Sequence, residues 1–116
     1  MMQLSAHFTL QELTRSSTAE RLNIQNAFTA DVVDNLQRLC SEVLEPLRAH
    51  LGHPITINSG YRCPALNKAV GGVQNSFHLT GRAADIPRYT GAIDFLKKLG
   101  KCTEVINEGT WIHVAL

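Results

Sequence analysis

Between Asp31 and Leu51 the apolar residues Val32, Val33, Leu36, Leu39, Cys40, Val43, Leu44 and Leu47 recur every three or four positions. That spacing aligns side chains along one face of an α-helix, and so long an apolar face must be buried. Thr29 is placed to cap the start and Gly52 to stop the end. Pro46 cannot donate a backbone hydrogen bond, so a kink or short break is expected near Glu45. With 116 residues in all, the chain is the size of one domain, and the remaining segments must cover this stripe as shorter elements around a single core.

Those segments are legible from their punctuation. Residues 5–27 read as two short helices, because Thr9 and Glu12 form a capping box and Ser16-Ser17-Thr18 offers a second start. Phe8, Leu10 and Leu13 supply apolar feet. Ile55 to Ser59 alternates and is β-branched, which predicts a strand ended by Gly60. Pro64 to Val70 predicts a short helix stopping at Gly71-Gly72, and Val73 to Gly81 has too little periodicity to be anything but loop. Ala83 to Ile86 predicts a strand halted by Pro87. Thr90 or Gly91 opens a last helix with Ile93, Phe95, Leu96 and Leu99 on its apolar face, Lys97, Lys98 and Lys101 near its end, and Gly100 as its stop. The tail reads as two strands, Thr103–Asn107 and Thr110–Leu116, joined by a tight turn at Glu108-Gly109. The sum is an α+β domain over residues 1–116, a small antiparallel sheet packed against helices.

Composition narrows the function classes. Lys plus Arg number 11 against 10 Asp plus Glu, a formal charge of +1, so no field steers the chain onto nucleic acid or an anionic membrane. No apolar stretch approaches the roughly 18 residues of a membrane span. The first 25 residues lack the basic start and continuous apolar centre of a secretory signal, so synthesis in the cytoplasm is expected. The three cysteines, Cys40, Cys63 and Cys102, match neither a disulfide framework nor a paired-thiol metal motif and read as free thiols.

Of five histidines, His7, His50 and His53 sit in polar or helix-end positions and read as surface residues. His78 lies in a Gly/Asn/Ser/Thr-rich loop seven residues before Asp85, and His113 lies on the terminal strand with Trp111 on the same face. Two imidazoles and one carboxylate meeting at an ion leave a fourth tetrahedral position open, which suits catalytic zinc. From spacing alone, hydrogen-bonded histidines and a turn-forming aspartate account for the same residues.

Ser59-Gly60-Tyr61-Arg62-Cys63-Pro64, Asn67, Gly71-Gly72, Ser76-Phe77-His78, Gly81-Arg82-Ala83-Ala84-Asp85-Ile86 and Trp111-Ile112-His113-Val114 together resemble the zinc D-Ala-D-Ala carboxypeptidases, peptidase family M15, and its short single-domain members in particular. The resemblance extends to Phe8 through Leu13, to Ser17-Thr18-Ala19 and to Val43 through Arg48, nearly the whole chain. It implies the hedgehog/D-Ala-D-Ala peptidase-like fold and a Zn2+ held by His78, Asp85 and His113 with water in the fourth position. Arg62 resembles the family arginine that faces the substrate. The residues themselves make Ser76 and Asn67 candidates for substrate contacts, Trp111 a wall of the pocket, and Arg82 a partner that orients Asp85 or a neighbouring loop. Many relatives place an acid three positions before the last histidine, where this chain has Thr110. Glu108, five positions before His113, resembles the Glu that short members carry ahead of Trp-x-His and is the expected general base, with Glu104 the fallback.

The activity implied is hydrolysis of peptide bonds in peptidoglycan stem peptides, as a D-Ala-D-Ala carboxypeptidase or an endolysin-type endopeptidase, by a monomer. The wall would then be reached by lysis or in a phage particle. The displaced acid keeps a second reading open, a non-catalytic zinc-binding or peptidoglycan-binding module of a phage particle.

Overall fold

The structure is a computed structural model that describes residues 2–116. Thr9 caps α1 (Leu10–Thr14) through the expected capping box: its hydroxyl accepts from Glu12 N–H, and the Glu12 carboxylate accepts from Thr9 N–H at 3.1 Å. Ser16 caps α2 (Ser17–Arg21). Ahead of them, the Glu45 carboxylate pins the leading segment by accepting from Ser5 Oγ at 2.6 Å and His7 N–H at 2.7 Å.

The long stripe is α3 (Ala30–Leu39), a π-helical turn (Cys40–Leu44) and α4 (Glu45–Leu51), capped by Thr29 and closed by Gly52 at φ 75°. In a regular helix the Pro46 ring would collide with the Glu42 carbonyl. The wider turn, in which Glu45 N–H reaches back to Cys40 O, takes up that conflict and keeps the stripe continuous. Leu36, Leu39, Cys40, Val43, Leu44 and Leu47 are all fully buried. Burial, with Glu45 and Glu12 nearby, pushes the Cys40 thiol up to about 12, so it is an inert core group.

The segment from Ile55 to Ser59 corrects the sequence reading. Ile55 and Ile57 point inward as the alternation requires, but the segment is extended chain with one bridge, Ser59 to Asp85. Continuing that antiparallel pairing would set Ile57 against Pro87, which has no N–H to give. Thr56 N–H instead donates to Tyr89 Oη at 2.9 Å.

α5 (Pro64–Ala69) follows, and then the stretch read as loop contains a 3₁₀ turn, Phe77–Thr80, whose cap Ser76 Oγ accepts from His78 N–H. Four residues are too few to show a period. β1 (Ala83–Pro87) ends at its proline, and α6 (Ala92–Leu99) runs between Gly91 and Gly100, both at positive φ.

β2 (Glu104–Asn107) and β3 (Trp111–Ala115) complete a three-stranded antiparallel sheet in the order β1-β3-β2. Their turn falls one residue later than expected, at Gly109-Thr110. Asn107 Oδ1 accepts from Gly109 N–H, Gly109 takes φ 95°, and Glu108 N–H donates to Trp111 O, so Glu108 remains on the strand line opposite Trp111. Ala84, Ile86, Ile112 and Val114 face the helices and are fully buried with Leu36, Leu44 and Leu96. The opposite face carries Asp85, His113, Ile106 and Glu104. Among the described residues, no helix is long and apolar enough to cross a membrane.

Candidate metal centre

Three elements deliver the three groups. His78 sits on the 3₁₀ turn, Asp85 on β1, and His113 on β3 directly opposite Asp85 in the register. One ligating atom from each lies within 4.8 Å of the others, and His78 and Asp85 are buried. The glycine at position 60 lets the chain approach α1 closely: a Cβ there would overlap the Leu13 carbonyl oxygen, which also accepts from Tyr61 N–H at 2.7 Å. That approach places Gly60 O behind the His78 ring.

The hydrogen bonds define which nitrogens face the centre. His78 Nδ1 lies 2.6 Å from Gly60 O and His113 Nε2 lies 2.8 Å from Glu104 Oε1. Both partners are pure acceptors, each placed to take a ring N–H. The other nitrogens, His78 Nε2 and His113 Nδ1, each lie 3.2 Å from Asp85 Oδ1, also an acceptor. With neutral rings that donate to Gly60 O and Glu104, two nitrogen lone pairs and a carboxylate oxygen converge on one point. Only an added proton on each ring, or a cation between them, relieves that arrangement. Residues and donor set therefore fit a divalent metal such as zinc, with room for a fourth ligand.

The electrostatics follow from the same contacts. Burial pushes the Asp85 carboxyl up, but the hydrogen bonds of His113 and His78, with the charges of His78 and Arg62, outweigh it and hold the group at about 2. The bond to Asp85 raises His113 above its ordinary value against the effect of burial, and Glu104 adds to the rise. The cluster forms the floor of a cleft of about 570 Å³. A hollow of similar size, about 580 Å³, lies beside α1 and α2 and contains none of these groups.

A sequence model of the family Peptidase M15 matches residues 6–115, which takes in every group described above. The chain belongs to the peptidase M15 family. It is also 46% identical over 44 residues to the zinc D-Ala-D-Ala carboxypeptidase of Streptomyces albus G, a match covering 37% of this chain and 17% of that protein's length.

Around the cluster, this M15 domain arranges the other expected residues unequally. Arg62 lines the cleft and is held by all three of its nitrogens: Nε donates to Ser59 Oγ, one terminal nitrogen to Asn67 Oδ1, and the other pairs with Asp85 Oδ2 at 3.1 Å. Arg62, and not Arg82, thus orients Asp85. Arg82 donates to Leu116 O at 2.7 Å and lies over the Phe77 ring. Ser76 and Trp111 line the cleft. Asn67 does not: it is buried behind the wall, bridging Arg62 and Val73 O, and Gly72 has no Cβ because one would overlap its Oδ1. Its place is to hold Arg62 and the glycine loop. Glu108 lines the cleft with its carboxylate exposed, and Glu104 lines it while bonded to His113. Two features escaped the sequence reading, the carbonyl of Gly60 behind His78 and an apolar mouth formed by Val70, Val73, Ile106 and Trp111, all exposed. The three cysteines are free and none belongs to the metal cluster.

Proposed function

We propose that the chain is a zinc-dependent peptidase acting on peptidoglycan stem peptides, with Glu108 as general base. The observation that carries this reading is the convergence of His78 Nε2, Asp85 Oδ1 and His113 Nδ1 in a cleft also lined by the exposed Glu108. Zinc, when bound, supplies Lewis-acid polarisation of the scissile carbonyl and brings a water's pKa toward ~7. The protein's own groups do the rest. Glu108 takes the proton from the attacking water and hands it to the departing amine. Arg62 has five N–H donors and three are held by Ser59, Asn67 and Asp85, so its fork is rigid while donors remain for the developing oxyanion.

The mouth supports a peptide with small apolar side chains, such as alanine, on either side of the reacting bond. Val70, Val73, Ile106 and Trp111 line the cleft with exposed apolar side chains. Charge favours an internal bond over a chain end. Among the described residues lining the cleft, Arg62 is already paired with Asp85 while Glu104 and Glu108 add negative charge, so a terminal carboxylate would meet two acidic groups beside a cation whose charge is already balanced.

The test has two parts. Metal analysis of the purified protein is expected to give about one zinc per chain, lost in His78→Ala, Asp85→Ala and His113→Ala. Mass spectrometry of digested peptidoglycan is expected to show internal cleavage. Release of free alanine alone would shift the activity to a carboxypeptidase. Zinc binding with no cleavage of any wall peptide would point to the binding-module reading, which Thr110 at the relatives' acid position would then explain. Zinc retained at full stoichiometry in all three variants would overturn the ligand set.

A further inference from the structure

Two glutamates of β2 and its turn flank His113, and the sheet register shows how differently they stand to it. Ile106 is the cross-strand partner of His113. Glu104 and Glu108 lie two residues to either side of Ile106, so both share its face and both are diagonal neighbours of the histidine. Glu104 Oε1 lies 2.8 Å from Nε2, and among the described residues the Glu108 carboxylate has no hydrogen-bond partner.

An imidazole between two carboxylates has two ways to place its single proton. If Nδ1 carried it, the ring would donate to Asp85 and offer no lone pair at the centre. With Nε2–H donated to Glu104, Nδ1 is left bare toward Asp85 and the cluster, 3.2 Å from its Oδ1. The His78 ring stands in the opposite sense, with Nδ1 on a main-chain carbonyl, a pure acceptor, and Nε2 toward Asp85. Because the two rings present different nitrogens, their orientation is set individually by what stands behind each. Behind His113 a side chain does so, and that side chain is half-buried while the ring itself is 14% exposed.

We infer that Glu104 is a positioning residue: by accepting Nε2–H it selects the His113 tautomer that can bind metal and fixes the ring's angle, which leaves Glu108 as the carboxylate free for proton transfer. This rests on the metal reading above for its purpose, but not for its geometry. An acceptor behind a ligating histidine is worth about 10–100-fold in metal affinity.

The experiment compares the full chain with Glu104→Ala and Glu104→Gln, the amide oxygen of the latter still being able to accept. Zinc affinity is measured by competition with a chromophoric chelator, and the histidine tautomers of the metal-free protein by long-range ¹H–¹⁵N NMR at alkaline pH. Wild type is expected to show His113 protonated on Nε2. Glu104→Ala should lose that preference and bind zinc about 10–100-fold more weakly, and Glu104→Gln should recover the tautomer and most of the affinity. A wild-type His113 protonated on Nδ1, or a Glu104→Ala protein with unchanged tautomer and unchanged zinc affinity, would overturn the inference. Should wild type bind no zinc at all, the proposed function fails while the tautomer comparison still decides the role of Glu104. Should Glu104→Ala not fold, a Glu104→Gln protein with the Nδ1 tautomer is the overturning result and one with the Nε2 tautomer the supporting one.

Discussion

Glu108 is the residue whose role depends most on position and least on contacts. It is exposed, lines the cleft and lies outside the His78, Asp85 and His113 cluster, so Glu108→Gln is expected to leave folding and zinc content intact while kcat on wall peptide falls ~10²–10⁴-fold. Equal turnover in variant and wild type, by steady-state assay at matched zinc loading, would remove it from the mechanism. At this scale the sequence was most informative where a residue type has few other uses: His78, Asp85 and His113 come together as their motifs imply. It was least informative for partners that meet only through the sheet. Glu104 touches His113 because β2 and β3 pair in one register, and a shift of one residue would have turned it to the other face. Asn67 shows the converse, a polar residue assigned to substrate whose amide is consumed by Arg62 and a backbone carbonyl.

The elements were legible wherever a local signal marks an end. Thr9, Ser16 and Thr29 cap helices, Gly52 and Gly100 stop them, and Pro46 disturbs the long stripe close to where expected, as a π-helical turn. The segment from Ile55 to Ser59 was misread because strand status needs a partner with free N–H groups, and β1 ends in proline. That same segment hands over to Gly60, where element packing and the metal centre are joined: α1 lies against the glycine on one side, and its carbonyl holds His78 on the other. Gly60→Ala is therefore expected to force α1 and the loop apart, costing about 1–3 kcal/mol in urea unfolding and weakening zinc through a displaced carbonyl. Gly109→Ala serves as the contrast, since a Cβ there meets nothing within 4 Å and the strain is confined to a positive φ at an exposed turn. Equal zinc affinities in the two variants would separate the α1 contact from the metal site.

At the scale of the whole molecule, the centre makes stability depend on pH in two opposite ways. Asp85, held at about 2 in the fold against an ordinary value of 3.8, contributes roughly 2 kcal/mol that is fully present above about pH 4 and is lost as pH falls through 2. His113 is raised in the fold, so its contribution is present below its ordinary value of 6.5 and is lost as pH rises through the higher folded value. The metal-free protein is thus expected to be most stable in the mildly acidic range and to weaken toward alkaline pH. Zinc reverses the second limb, because a ligand must shed its proton before it binds: each step up in pH through the His113 transition loosens the metal-free fold while strengthening the metal-bound one. Thermal unfolding with zinc and with a chelator should therefore give a small difference in Tm at about pH 5 and a much larger one at about pH 8. In Asp85→Asn with chelator the loss of stability toward pH 2 should flatten, since the titrating group is gone. A zinc-dependent Tm shift of the same size at both pH values would mean that His113 gives up no proton on binding, and the ligand would have to be sought elsewhere than at its Nδ1.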